Sequence, residues 1–191
     1  MATRHRIKAG LCGATLALLA AFPLCRAGEK KSPALEDKVK TAFIYKFTHY
    51  IQWPETPAAE NFTIAVIGDS GITAHLRELA RQKTANGRTI LVEQLKSTGT
   101  VGPCQILFVA AKEKERLPEI IKITEGKNTL IVGDSAGLAL RGAAVNFVVV
   151  DGRLRFEINR GAAARAGLEI SSELLKLAIL VEEGGAKDVR P

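Results

Sequence analysis

Two copies of the tripeptide Gly-Asp-Ser are the residues of this chain best placed to do chemistry. Each copy, at 68–70 and 133–135, follows an apolar run that indicates a buried strand. In a parallel sheet both turns would lie at the carboxyl edge, where ligands of such sheets usually bind. Four residues are therefore candidate ligand-binding residues: Asp69, Ser70, Asp134 and Ser135. The alternative is a structural role, in which glycine permits the turn and Asp or Ser caps a following helix.

Catalysis at these serines has little support in the sequence. Gly-Asp-Ser surrounds the nucleophile of one serine hydrolase family, but such an enzyme needs a histidine to accept the serine proton. After residue 27 the only histidines are His49 and His75, whereas that family carries its base near the C-terminus. Two separated histidines and one cysteine have no metal-ligand spacing, and no nucleotide-binding glycine motif is present. We therefore predict no enzyme, no cofactor and no metal site.

A second candidate surface is aromatic. Both tyrosines, the only tryptophan and two of the seven phenylalanines lie within residues 43–53. Helical spacing assigns four apolar side chains to the core face: Phe43, Phe47, Tyr50 and Ile51. It leaves Tyr45, His49 and Trp53 on another flank, which we predict to bind a partner because Tyr and Trp are favoured interface anchors. The alternative is that Trp53 simply closes one end of the core.

The elements that must position these residues alternate between helix and strand. Helices are predicted at about 36–52, 72–82, 117–124 and 172–183, and strands at 62–68, 89–95, 104–110, 129–133, 144–150 and 153–158. The alternation predicts an α/β fold with a mainly parallel sheet flanked by helices on both faces. Asp151-Gly152 favours a type I′ turn, which adds one C-terminal antiparallel hairpin strand. We also expect Asn146 to pair within the core, Asn159 to brace the turn after the hairpin and Ser171 to cap the last helix.

The N-terminal segment has the pattern of a secretory signal peptide. Arg4, Arg6 and Lys8 precede an Ala/Leu-rich apolar run, and small residues lead to a cleavage site after Ala27. We predict a signal peptide over 1–27, a loose lead-in over 28–35, a single domain over 36–184 and a tail over 185–191. An uncleaved N-terminal anchor is the alternative. The exported chain would be periplasmic and not membrane-spanning, because no later apolar run is long enough to span a bilayer.

Charge and cysteine content constrain the partners. The signal segment carries four basic residues and no acid, so the remaining chain is only mildly basic and nothing favours nucleic acid binding. Cys12 and Cys25 would leave with the signal. Cys104 would remain alone, and we expect it to be buried rather than to form an intermolecular disulfide.

Four segments, taken in order, resemble the YfiR family of periplasmic proteins. They are VKTAFIYKF at 39–47 with Trp53-Pro54, GAAVNF at 142–147, GRLRFEIN at 152–159 and AGLEISSELLKLA at 166–178. The similarity spans about residues 36–183. It implies a sheet covered by helices, a possible homodimer, and binding to the extracytoplasmic domain of a membrane-anchored diguanylate cyclase. It does not extend to the intramolecular disulfides of the characterised repressor, which Cys104 alone cannot form.

The resemblance and the residues together give one function and one alternative. The function is a periplasmic binding protein that represses an inner-membrane diguanylate cyclase, and so lowers cyclic di-GMP signalling and biofilm formation. The alternative, which follows from the Gly-Asp-Ser turns, is a periplasmic small-molecule-binding module with no cyclase partner.

Overall fold

The structure is a computed structural model that describes residues 32–54 and 60–184. The predicted signal peptide (1–27), the predicted tail (185–191) and the residues Cys12 and Cys25 lie outside this part of the chain. Within it, no helix combines the length and the apolar character needed to cross a membrane.

Five α-helices and ten strands build the described part of the chain. The helices are α1 (Pro33–Tyr50), α2 (Ile72–Ala80), α3 (Leu117–Thr124), α4 (Arg160–Arg165) and α5 (Ser172–Leu177). The strands are β1 (Ile51–Gln52), β2 (Asn61–Ile67), β3 (Thr84–Ala85), β4 (Arg88–Leu95), β5 (Ile106–Val109), β6 (Leu130–Gly133), β7 (Val145–Val150), β8 (Arg153–Asn159), β9 (Glu169–Ile170) and β10 (Ile179–Val181). Helix α1 begins inside the expected lead-in, because proline is tolerated in the first turn of a helix.

Eight strands form one sheet in the order β10-β8-β7-β6-β5-β2-β4-β3. Strands β4, β2, β5, β6 and β7 are parallel neighbours, and β7 and β8 form the predicted antiparallel hairpin. The mainly parallel α/β fold is thus confirmed. Asp151 and Gly152 both have positive φ, at 50° and 70°, as a type I′ turn requires. Strands β1 and β9 form a separate two-stranded ladder.

The sheet separates two hydrophobic cores because side chains alternate along each strand. In β2, Ile64 and Val66 join the core beneath α1 and α2, whereas Ala65 and Ile67 join the core beneath α3. Helices therefore cover both faces, as the apolar strands predict. Cys104 lies in the second core and is 4% exposed, which confirms its expected burial.

The buried face of α1 differs from the prediction. Tyr50 is 39% exposed, and the buried face includes Thr41 and Thr48 instead. Each threonine hydroxyl donates to a backbone carbonyl of its own helix, Thr41 to Asp37 at 2.8 Å and Thr48 to Tyr45 at 2.7 Å. Both hydroxyls therefore have hydrogen-bond partners without water. The spacing of apolar residues alone does not predict that these threonines are buried.

The C-terminal elements also differ from the prediction. Helix α5 ends at Leu177 rather than near 183, and residues 179–181 form β10, which pairs in parallel with β8. The apolar Ile179-Leu180-Val181 run fits either helix or strand, and pairing with β8 decides between them. Ser171 caps α5 as expected, because its hydroxyl oxygen accepts a hydrogen bond from the Leu174 N–H at 3.3 Å.

Candidate functional site: the carboxyl edge and the aromatic flank

Both Gly-Asp-Ser turns lie at the carboxyl edge of the sheet, as the strand pattern predicts. The first follows β2 and the second begins at the end of β6, and β5 runs between and parallel to both strands. Gly68 has φ of +87° and the Glu113 side chain lies against it, so that any larger residue would collide there. The second turn leads to a short 3-10 helix (Ala139–Arg141) rather than to an α-helix.

The first turns of α1 cover this edge and contact both turns. The buried Lys40 ammonium lies 2.6 Å from Asp134 Oδ1 and 2.7 Å from Glu36 Oε1. One helical turn earlier, the Asp37 carboxylate lies directly over Gly71, next to the first Gly-Asp-Ser. Asp134 therefore receives its counter-ion from the chain itself, and α1 is fastened to the end of β6.

The Lys40–Asp134 pair is held away from water, and burial shapes both pKa values. Burial disfavours the charge on Lys40, but the hydrogen bonds and charges of Asp134 and Glu36 outweigh that effect and raise its pKa above 10.5. Burial also raises the pKa of Asp134 above 3.8, and Lys40 opposes that rise only in part. The pair is thus a structural contact that keeps a charged group inside the fold.

The two serines also contact the fold. The Ser70 hydroxyl oxygen accepts a hydrogen bond from the Ile72 N–H at 3.4 Å, at the start of α2. The Ser135 N–H donates to Asn146 Oδ1 at 3.4 Å, and Asn146 Nδ2 donates to Glu157 Oε2 at 3.0 Å. The expectation that Asn146 pairs within the core is confirmed. The Ser70 contact fits the structural alternative, whereas Ser135 is held through its backbone, and the role of both serines in ligand binding stays a prediction.

Polar side chains from β4 and α2 lie beside the first turn. The Gln94 amide donates to the Gly68 carbonyl, and the Thr73 hydroxyl donates to Gln94 Oε1. Asp69 is exposed at this position. The structure thus brings the four predicted ligand residues to one edge, where Asp134 is paired with Lys40 and the Ser70 hydroxyl accepts a hydrogen bond within the fold.

Tyr45 and His49 form a pair on one flank of α1, where Tyr45 is half-buried and packs against the core. Their rings meet edge to face, with centroids 4.8 Å apart, and His49 is exposed. Tyr45 also lines a shallow cleft of about 320 Å³ between α1 and α2. The other residues of this cleft are Lys38, Thr41, His75, Glu78, Leu79, Gln82 and Lys83. The pair therefore borders an accessible surface that carries both apolar and charged groups.

Trp53 lies elsewhere and belongs to the end of the core. Its ring meets Phe62 edge to face at 5.2 Å, and its Nε1–H donates to the Gln105 carbonyl oxygen at 3.2 Å. Phe62 and Gln105 stand near the amino ends of β2 and β5, opposite the Gly-Asp-Ser edge. These contacts fit the alternative in which Trp53 closes the core, and its partner-binding role stays a prediction.

A larger cavity of about 390 Å³ lies beside α3 and α4. Its walls combine apolar groups such as Ile121 and Ile131 with charged groups at Lys122, Glu125 and Arg165. None of the four predicted ligand residues lines this cavity or the cleft between α1 and α2. Among residues 32–54 and 60–184, no group of three or more His, Cys, Asp or Glu side chains could hold a metal ion.

Lys40 is the functional-site residue that the sequence analysis missed. It lies directly before Thr41 and one turn before Ile44, on the buried face of α1. A lysine at that register is the available signal, since a buried lysine almost always has an anionic partner. The sequence does not show which of the twenty acids that partner is.

Two solved structures are similar to this chain over part of its length. One is a conserved domain protein from Vibrio cholerae O1 biovar El Tor strain N16961, at 13% identity and a TM-score of 0.52, covering 77% of this chain and 60% of that one. The other is the ABC domain in complex with L-Trp from Streptococcus pneumonia, at 14% identity and a TM-score of 0.47, covering 63% and 55%. The chain thus spans less than two thirds of either structure, and the likeness concerns the fold alone.

Family comparison covers most of the chain. The profile of the YfiR/HmsC-like proteins matches residues 37–179, which contain most of α1, both Gly-Asp-Ser turns, the β7–β8 hairpin and α5. The match also contains the segments at 39–47, 142–147, 152–159 and 166–178 that carry the resemblance in the sequence. This chain belongs to the YfiR/HmsC-like family.

Proposed function

We propose that this chain is a periplasmic repressor that binds the extracytoplasmic domain of an inner-membrane diguanylate cyclase and holds it inactive. The observation that carries the proposal is the family match over residues 37–179. The signal-peptide pattern at 1–27 supports export. Binding one state of the cyclase shifts its population toward that state, which is how a protein without catalytic activity represses another.

The contact surface that we propose is the flank of α1 at Tyr45 and His49, where Tyr45 is half-buried and His49 is exposed. The two rings contact each other on a helix that packs against the core, so little conformational freedom is lost on binding. Tyrosine is enriched among residues that dominate binding energy. We assign Trp53 a supporting role, since its contacts with Phe62 and Gln105 position the chain after α1.

A pull-down from solubilised membranes tests this function, with residues 28–191 as bait. We expect the chain to retain a membrane protein that carries a diguanylate cyclase domain. The double variant Tyr45→Ala/His49→Ala should lose this protein while remaining folded, as circular dichroism would show. Tyr50→Ala is the matched control, because Tyr50 is an exposed aromatic residue of the same helix outside the pair. A folded bait that retains no cyclase would contradict the proposal.

The cavity of about 390 Å³ supports a second candidate function, a periplasmic small-molecule-binding module with no cyclase partner. Its volume and its mixture of apolar and charged walls are within the range of ligand pockets. A ligand there should raise the unfolding temperature, and Ala162→Leu should abolish that increase by filling the cavity. Ligand binding together with an empty pull-down would favour this function over the repressor.

A further inference from the structure

The outer edge of β8 is unpaired near the hairpin turn. Strand β10 pairs with β8 only from Glu157 to Asn159, so in the described part of the chain no strand lies beside Arg153–Phe156 on that side. Strand β7 covers the opposite edge of β8 over its whole length. A free strand edge presents backbone groups that can pair with a further strand.

The hydrogen-bond register shows which backbone groups face outward. The Asn159 N–H donates to the Ala144 carbonyl at 2.9 Å, so Asn159 belongs to a hydrogen-bonded pair with β7. Such pairs alternate along an antiparallel ladder, and Arg155 and Arg153 therefore also direct their N–H and C=O groups to β7. Leu154 lies between them, and its N–H and C=O point away from β7, to the free edge.

Side chains give this edge two chemically distinct faces. Leu154 is half-buried and pairs across the hairpin with Val149, which is 60% exposed and continues the apolar face of Phe147 and Phe156. Arg153 and Arg155 are exposed on the other face, across the hairpin from Val150 and Val148, and neither forms an ion pair with the described residues. Within the sequence from Val148 to Phe156, the only acidic residue is Asp151, which is exposed in the turn.

We propose that this edge binds an extended segment of a protein partner, in which acidic and apolar residues alternate. The added strand would bond to Leu154 through its backbone, place apolar side chains on Val149 and Leu154, and place carboxylates beside Arg153 and Arg155. A second copy of the chain is a poor occupant, because antiparallel pairing of two β8 edges sets arginines against arginines. The inference rests on the proposed function in that the segment belongs to the extracytoplasmic domain of the cyclase.

Amide NMR of the full chain, purified from the envelope fraction, tests the edge without any cyclase. The probe is an acetylated octapeptide that alternates valine and glutamate, and the control peptide has lysine in place of glutamate. We expect the glutamate peptide to shift the Leu154 amide and to protect it from hydrogen exchange. Arg153→Glu/Arg155→Glu should weaken the binding of that peptide about 10-fold and should favour binding of the lysine peptide instead.

A charge-matched variant controls for net charge. Lys112→Glu/Arg160→Glu changes two exposed cations outside the free segment and should bind the glutamate peptide as the parent does. Equal binding of the two peptides, or no shift of the Leu154 amide, would overturn the proposal. Arg153 and Arg155 would then serve to prevent strand pairing at this edge. Leu154 shifts that depend on protein concentration alone would overturn it in favour of a second copy. If the peptide does not bind but the pull-down recovers a cyclase, the β8 edge is excluded as the binding site and the proposed repressor function still stands.

Discussion

Lys40 shows how one residue can fix the position of a whole helix. Its ammonium is 7% exposed and bridges Glu36, on its own helix, to Asp134, at the end of β6. Removing one partner of a buried pair is far more damaging than the pair is stabilising, since the remaining charge has lost its counter-ion. The contact therefore matters most for where α1 lies.

Lys40→Met should destabilise the protein by about 3–5 kcal/mol at pH 7, measured by urea unfolding, because Asp134 would stay buried without its cation. Lys38→Met on the exposed side of the same helix is the control and should cost less than about 0.5 kcal/mol. Lys40→Met/Asp134→Asn should be less destabilised than Lys40→Met alone. If Lys40→Met lost no more stability than Lys38→Met, the structural role of the Lys40–Asp134 pair would be contradicted.

The destabilisation caused by Lys40→Met should depend on pH. The folded-state pKa of Lys40 is raised above 10.5, so its stabilising contribution is complete below that pH and disappears as the pH rises through the folded value. The folded-state pKa of Asp134 is raised above 3.8, so its own contribution is most favourable below that pH and falls as the pH rises through the folded value. The effect of Lys40→Met should therefore be largest near neutrality and shrink at both extremes.

Polar residues differ in how well the sequence predicts their partners. Asn159 and Ser171 bond to groups three residues away, so local sequence suffices to predict their capping roles. Asn146 could be predicted to need a partner but not which one, since Glu157 lies across the hairpin. Lys40, in α1, and Asp134, directly after β6, are far apart in the sequence. No local sequence pattern therefore predicts their contact.

At the scale of elements, a turn with strict backbone requirements is predicted better than the end of a helix. Asp151-Gly152 needs positive φ at both residues, and few residue pairs meet that condition. The end of α5 has no comparable signal, because Ile179-Leu180-Val181 suits either helix or strand. Strand β10 exists because β8 offers it an edge, and pairing of this kind is tertiary information.

Asn159→Ala should destabilise the join between β8 and α4 by about 2–4 kcal/mol. The Asn159 side chain accepts from the Ala162 N–H at 2.9 Å and donates to the buried Ala139 carbonyl at 2.8 Å, so the substitution removes a helix cap and leaves a carbonyl unsatisfied. Thermal unfolding followed by circular dichroism measures the loss. Asn159→Ser keeps a capping oxygen and should recover about 1 kcal/mol of it, whereas equal losses would show that the cap contributes nothing.

At the scale of the whole molecule, the amino-acid pattern specifies layers but not order. Apolar strands alternating with helices predict a parallel sheet covered on both faces, and the two cores confirm it. The strand order β10-β8-β7-β6-β5-β2-β4-β3 depends on which strands pair, and the amino-acid pattern does not predict that pairing. Helix α1 links the two ends of this arrangement, since Lys40 lies at the carboxyl edge and Trp53 follows at the amino edge.

The cellular level of cyclic di-GMP tests the central claim most directly. Deleting the gene for this chain should raise cyclic di-GMP severalfold, measured by mass spectrometry of cell extracts, and expressing the full chain should restore the parental level. Expression of Tyr45→Ala/His49→Ala should fail to restore it at equal periplasmic abundance. An unchanged cyclic di-GMP level after deletion, in cells that normally produce the protein, would contradict its assignment as a cyclase repressor.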